Sequence, residues 1–156
     1  ASLTGHLVFA TLHTNDAVAA VTRLVDMGVE PFLLASSLIG VGAQRLVRRL
    51  CLECRKPFAA DAGQLKALGF APIQGTFYSA QGCAACKYSG YRGRTGIYEL
   101  LTIDDGLRRL IHDRAAEQVL RDHAVAHGMR SLRDDGMRWA AQGEISLEEV
   151  VRVTRE

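Results

Sequence analysis

The sequence predicts an α/β chain in which a cysteine-bearing loop is inserted between two strands and helices follow. Three observations carry that prediction. His6–His13 is a nearly continuous apolar run, the pattern of a strand covered on both faces inside a parallel sheet. Two runs rich in strand formers, Val41–Leu50 and Arg94–Leu101, bracket all four cysteines. From Asp104 onward the apolar residues recur at helical spacing.

Composition sets the outer bounds. The 156 residues carry 19 Lys+Arg against 17 Asp+Glu, a net charge of +2, with 48% hydrophobic and 6% aromatic residues. Such a chain can bury enough surface for one sizeable core or two small ones, and it is too apolar and too weakly charged to be disordered. The near-neutral balance argues against a protein whose main work is neutralising a nucleic-acid backbone. No apolar run approaches the roughly 20 residues of a membrane-spanning helix, so direct membrane insertion is not expected. No signal peptide opens the chain.

The elements follow in order. Ser2–Thr4 resembles a helix end stopped by Gly5, and the strand His6–His13 comes next. Too little chain precedes it to supply the neighbours that a parallel strand requires, so the chain is expected to be cut from a longer protein. Asp16 is placed to cap a helix from Ala17 to about Met27, stopped by Gly28, with Val18, Val21, Leu24 and Val25 on one face. Pro31, tolerated in a first turn, opens a second helix through about Leu38. Val41–Leu50 alternates enough for a strand, with a helix as the open alternative, and is expected to pair antiparallel with Arg94–Leu101. Between them, Ala60–Leu68 is a short helical stretch in a segment that also holds Pro57 and Pro72 and has little core of its own.

Beyond Asp104 the apolar stripes predict a small bundle of four helices. The first carries Leu107, Leu110 and Ile111, and the second Val119, Leu120, His123 and Ala124, ending at Gly128. The third carries Leu132, Met137, Trp139 and Ala140, with Gly136 as a weak point and Gly143 as its stop. Ser146–Glu149 spells a capping box ahead of Val150, Val151 and Val153. Trp139, Tyr91 and Tyr98 are expected to be packing residues.

The cysteines form two C-x-x-C pairs, Cys51/Cys54 and Cys83/Cys86, separated by 28 residues. Two such knuckles converging on one point offer a metal ion four thiolates at tetrahedral angles. The alternatives are two disulfides or free core thiols. Disulfides are disfavoured in a cytosolic chain, and a thioredoxin-like site needs one pair at a helix start. Four cysteines fill every position around Zn2+, which makes a structural site the expectation. Such a site contributes on the order of 10 kcal/mol to the folding of a small module.

Several motifs, met in one order, carry a family resemblance. Thr4–Asp16 (TGHLVFATLHTND) resembles the histidine box of the secretion and pilus ATPases. Arg23–Pro31 (RLVDMGVEP), Ala43–Arg48 (AQRLVR), both cysteine pairs, Gly90–Gly96 (GYRGRTG) and Ser146–Val150 (SLEEV) continue the match to the end of the chain. The nearest form is the type II secretion ATPase of the GspE/PulE family, towards which Val21–Asp26, Leu110–Asp113 and Gly136–Trp139 tilt. Type IV pilus assembly ATPases are the alternative.

The resemblance implies a fold and a function. Residues 1–45 would end a RecA-like P-loop ATPase core, 46–102 would carry the zinc module on antiparallel strands, and 103–156 would form a C-terminal helical subdomain. The whole enzyme would be a cytoplasmic homo-hexamer, peripheral to the inner membrane through platform proteins of the secretion system. Its cofactors would be ATP and Mg2+ besides the zinc. The family's phosphate loop, G-x-x-x-x-G-K-[ST], does not occur in this chain, since neither Lys56, Lys66 nor Lys87 follows a glycine. The chain by itself is therefore expected not to hydrolyse ATP.

Site residues carry over position by position. The resemblance puts His13 at the nucleotide, with Thr14, Asn15 and more weakly His6 beside it. It makes Arg23 and Arg94, with Arg92 behind them, candidates for nucleotide sensing or for a subunit boundary. Read from the residues alone, the two histidines are locally hydrogen-bonded ends of a helix and a strand, and the arginines are solvated. Arg45, Arg48, Arg49, Arg55 and Lys56 surround the first cysteine pair, as in a nucleic-acid-binding zinc ribbon. Few aromatics are available to stack bases, so this remains a distant alternative.

Overall fold

The computed structural model describes residues 1–67, 70 and 76–154. Seven helices and four strands occur among them: α1 (Ala17–Asp26), α2 (Pro31–Ser37), β1 (Gly40–Leu50), β2 (Lys56–Phe58), α3 (Ala62–Ala67), β3 (Phe77–Ser79), β4 (Tyr91–Thr102), α4 (Asp105–His112), α5 (Glu117–Ala126), α6 (Leu132–Ala141) and α7 (Leu147–Thr154). The expected helix end at Leu68, and Pro72, lie outside the described residues. No helix among them is long and apolar enough to cross a membrane.

β1 pairs with β4. The Ile103 N–H donates to the Ile39 carbonyl at 3.0 Å, and the Cys51 N–H to the Gly90 carbonyl at 2.9 Å. One strand advances as the other recedes, so the pair is antiparallel, as expected, and the cysteine loop leaves from its end. Along β4, Ile97, Glu99 and Leu101 are buried while Tyr98 and Leu100 face outward. This period of two corrects the expectation for Tyr98, which is 55% exposed rather than packed in a core.

The chain divides into two compact units. The first comprises Ala1–Ala43 and Tyr98–Ser131, with α1, α2, α4 and α5. Its core includes Val18, Val21, Leu34, Leu101, Leu107 and Leu120. Asp16 caps α1 by accepting the Ala19 N–H at 2.8 Å, and Asp104 caps α4 through the Leu107 N–H at 2.7 Å. The second unit comprises Gln44–Ile97 and Leu132–Glu156, with the cysteine loop, α6 and α7. The four helices after Asp104 therefore form as expected but divide two and two between the units.

Three local expectations change. His6–His13 is not a strand: it is irregular and exposed, with Phe9 89% accessible. A strand apolar on both faces needs partners on both edges and both faces, and among the described residues nothing pairs with it. The cysteine loop has a core after all. β2 and β3 pair antiparallel in the register Lys56↔Ser79, Pro57↔Tyr78, Phe58↔Phe77, and Leu65, Phe70 and Phe77 are buried. Finally, Gly136 is a packing requirement of α6. A Cβ there would lie 2.8 Å from Val150 Cγ1 on α7, closer than two carbons can approach.

Only half of the capping box forms. Ser146 Oγ accepts the Glu149 N–H at 3.3 Å. The Glu149 carboxylate, instead of turning back on the helix start, accepts from the Arg48 backbone N–H, the Arg48 guanidinium and the Arg152 guanidinium.

Candidate metal centre

Each cysteine pair sits on a tight turn. At the first, the N–H groups of Cys54 and Arg55 both donate to the Cys51 carbonyl, at 3.3 and 3.0 Å. At the second, Cys83 precedes a 3-10 turn over Ala84–Cys86, and Lys87 and Tyr88 follow with φ of 53° and 60°. Left-handed backbone at two successive non-glycine residues is costly. Here the Lys87 N–H donates to Ala84 and the Tyr88 N–H to Cys83, at 3.1 and 2.8 Å, which holds the turn.

Two glycines complete the knuckles. Gly82 (φ +124°) and Gly90 (φ +77°) adopt conformations that L side chains avoid, and a Cβ on either would come within 2.7 Å of Tyr88 O or Ala80 Cβ respectively. Their backbones do more than turn. The Gly82 N–H points at Cys54 Sγ (3.3 Å), the Gly90 N–H at Cys86 Sγ (3.2 Å), and the Cys83 N–H also at Cys86 Sγ (3.2 Å). N–H donors aimed at sulfur favour the thiolate, the form that binds metal.

The four sulfurs converge, all within 4.8 Å of one another. Sγ separations are 3.9 Å for Cys51–Cys83, 3.9 Å for Cys54–Cys86 and 3.8 Å for Cys83–Cys86. These are far longer than the roughly 2.05 Å of a disulfide. They match the edge of about 3.8 Å that follows from a tetrahedron of thiolates about 2.3 Å from Zn2+. The donor set therefore fits a four-coordinate metal ion, as predicted from the spacing. Burial raises the Cys54 thiol to about 11, while the Cys83 N–H, against burial and aided by Gly90, brings Cys86 down to about 6.

The remaining predicted residues are spread over both units. His6, exposed, lies 3.0 Å from Thr4 Oγ1 through Nδ1. His13 and Asn15 are exposed on the segment entering α1, and Thr14 Oγ1 donates to the Asp16 carbonyl at 3.1 Å. Arg23 is exposed on α1 in the first unit, whereas Arg94 is exposed on β4 in the second. Arg92 stands 3.6 Å from Glu53, both exposed. Within the basic cluster, Arg48 bonds Glu149, Arg49 bonds Glu144, and Arg55 reaches the Gly143 carbonyl with its guanidinium over the Tyr78 ring.

Sequence reasoning missed two groups. Glu99, only 2% exposed, accepts the Ala17 N–H at 2.8 Å, and Arg121 bridges Asp16 and Glu117. Glu99 sits in an apolar strand and Arg121 on a polar helix face, where neither pattern marks a partner. In the second group His123 Nε2 is 3.0 Å from both oxygens of Asp104, its ring lying where a Cβ on Gly106 would stand. The Leu107 N–H, with His123, holds the Asp104 carboxyl below its ordinary value, against burial.

Comparison with known proteins agrees with the family resemblance of the sequence motifs. Over all 156 residues the chain is 62% identical to the type II secretion system protein HxcR of Pseudomonas aeruginosa, of which it covers 30%. It is 57% identical over 157 aligned positions to the type II secretion system ATPase E of Vibrio cholerae, covering 31% of that protein. The type IV pilus assembly ATPase PilB of Thermus thermophilus is 48% identical over the whole chain, which covers 18% of it. The chain thus spans less than a third of the length of these relatives. A structure of the pilus retraction motor PilT with bound ADP superposes with a TM-score of 0.62 at 23% identity, over 98% of this chain and 34% of that one, which is a likeness of fold. The profile of the Type II/IV secretion system protein family matches residues 1–152, and the chain belongs to that family.

Proposed function

We propose that this chain is the C-terminal part of a hexameric cytoplasmic ATPase that powers protein export by a type II secretion system. The observation that carries the reading is identity of 57% along the whole chain to a protein named as a type II secretion ATPase. The same comparison favours secretion over pilus assembly, where identity is 48%. On this reading residues 1–45 complete the RecA-like core, 46–102 carry the metal module and 103–156 form the helical end. Platform proteins at the inner membrane are the partners.

Cys51, Cys54, Cys83 and Cys86 would hold one structural Zn2+, which cross-links the two knuckles. Four thiolates leave no position for water or substrate, so the ion's work is mechanical. Lys87 and Tyr88 keep their left-handed backbone, and the module presents a fixed surface that relays nucleotide state to a partner or neighbouring subunit.

His13, Thr14 and Asn15 face the terminal phosphate of ATP·Mg2+ in the assembled enzyme, with His6 at the edge of the same segment. An imidazole or an amide there orients water or senses the phosphate. Arg23 and Arg94 stabilise charge on the transferring phosphoryl group or brace the boundary between subunits. The exposed apolar run from His6 to His13 finds its sheet partners in the rest of the enzyme. The test is elemental analysis of this chain together with ATPase assays of it and of an upstream-extended chain. One zinc per chain, with turnover in the extended form alone, is the expected result. ATP turnover by this chain alone overturns the reading.

A further inference from the structure

We propose that Arg121 and Glu99 are positioning residues that hold the His13–Asn15 segment through the first turn of α1, tying it to α5 and β4. The proposal rests on the reading of that segment as phosphate-facing. α1 begins directly after the segment, so whatever fixes its first turn fixes where the segment ends.

Three constraints meet at that turn. Glu99 Oε1, from a buried side chain 82 residues along, accepts the Ala17 N–H at 2.8 Å. Asp16 accepts the Ala19 N–H at 2.8 Å with one carboxylate oxygen and Arg121 Nη2 at 2.9 Å with the other. The same Nη2 bonds Glu117 Oε1 at 2.8 Å, and Thr22 Oγ1 donates to Glu117 Oε2 at 3.2 Å. The clamp extends into the segment itself, because Thr14 Oγ1 donates to the Asp16 carbonyl at 3.1 Å.

Capping alone does not require this arrangement. Asp16 satisfies one orphan N–H of the helix start, that of Ala19, and Glu99 satisfies that of the buried Ala17. Because that second carboxylate is buried at a cost and drawn from a distant strand, the cap it makes is also a rigid link to β4. Arg121 adds another from α5, its Nη2 donating both to the α1 cap Asp16 and to Glu117 on its own helix. A displacement of α5 that withdraws Arg121 leaves the Asp16 carboxylate, and the turn that bonds Thr14, held by the Ala19 N–H alone. α5 is thereby connected to the phosphate-facing segment by a chain of hydrogen bonds.

The experiment is steady-state ATP hydrolysis by the full-length enzyme carrying Asp16→Asn, Arg121→Met, His13→Ala, and Arg121→Met with His13→Ala together. Asparagine keeps the helix cap and removes the charge facing Arg121. The expected result is a kcat lowered about tenfold or more by each clamp variant, with KM within about twofold, because misplacement of a catalytic segment acts on turnover. Zinc content and melting temperature stay near wild type. The double variant falls little below His13→Ala alone, since Arg121 acts through the segment. Wild-type kcat in both clamp variants, a loss that only tracks unfolding, or full additivity in the double variant overturns the proposal. If His13→Ala alone turns over normally, the reading of the segment falls and the clamp with it. If His13→Ala is impaired while the clamp variants are not, the clamp alone falls.

Discussion

Glu149 and Arg48 are 101 residues apart and joined three times: the Arg48 backbone N–H lies 2.9 Å from Glu149 Oε2, and Arg48 Nε and Nη2 lie 2.9 and 2.5 Å from Oε1. Arg152, one turn further along α7, adds two more bonds at 2.8 Å. The carboxylate is 1% exposed. α7 is thereby fastened to β1 within the second unit by an ionised group that could not remain charged there without these donors.

This pairing predicts an acid transition. Burial pushes the Glu149 carboxyl up, but Arg152 and then Arg48 outweigh it and hold it at about 2, below its ordinary 4.5. The unfolded chain takes up the proton first as pH falls. The stabilisation is therefore complete above about pH 4.5 and lost progressively towards pH 2, by about 3 kcal/mol. Glu149→Gln should remove that much stability at neutral pH and flatten the dependence. Urea unfolding between pH 2 and 7 measures both.

The sulfur tetrahedron predicts one zinc per chain by elemental analysis and none in Cys83→Ser. Removal of the metal with a chelator should lower the melting temperature, since binding free energy is folding free energy in such modules. In the full-length enzyme Cys83→Ser should also impair secretion. Normal secretion after zinc loss would sink the idea that the module relays nucleotide state.

Gly136→Ala separates helix propensity from packing. In an exposed helix the change gains up to about 1 kcal/mol. Here the new methyl meets Val150 Cγ1 at 2.8 Å, and overpacking of this kind costs about 1–3 kcal/mol. The net expectation is a destabilisation of about 1 kcal/mol, partly recovered when Val150→Ala is added. Thermal unfolding of the single and double variants decides the sign.

His13→Ala in the full-length enzyme should lower ATP hydrolysis by one to two orders of magnitude while zinc content is unchanged. The two readouts are independent because His13 and the cysteines lie in different units. Hydrolysis at the wild-type rate rejects a nucleotide role for this histidine.

Much of this was legible in the sequence because it is written locally. The C-x-x-C spacing set each knuckle's turn, Asp16 and Asp104 marked helix starts, and Gly28 and Gly128 marked helix ends, all through backbone sterics and unsatisfied N–H and C=O groups within a few residues. The pairing of β1 with β4 followed from two runs flanking one loop. Other features depended on what the folded chain brings alongside. The run His6–His13 has strand composition without strand neighbours, and in the cysteine loop Leu65, Phe70 and Phe77 are buried only once the chain has folded. Gly136 looked like a defect until Val150 stood against it, and Glu149 looked like a cap until Arg48 claimed it. By itself the sequence determined the helices, the β1–β4 pair, the two cysteine knuckles and the family, since periodicity and spacing are properties of short stretches. The tertiary structure alone decided which carboxylate meets which donor. Glu99 with Ala17, Asp16 with Arg121 and Glu149 with Arg48 are separated by 82, 105 and 101 residues, beyond the reach of any local pattern.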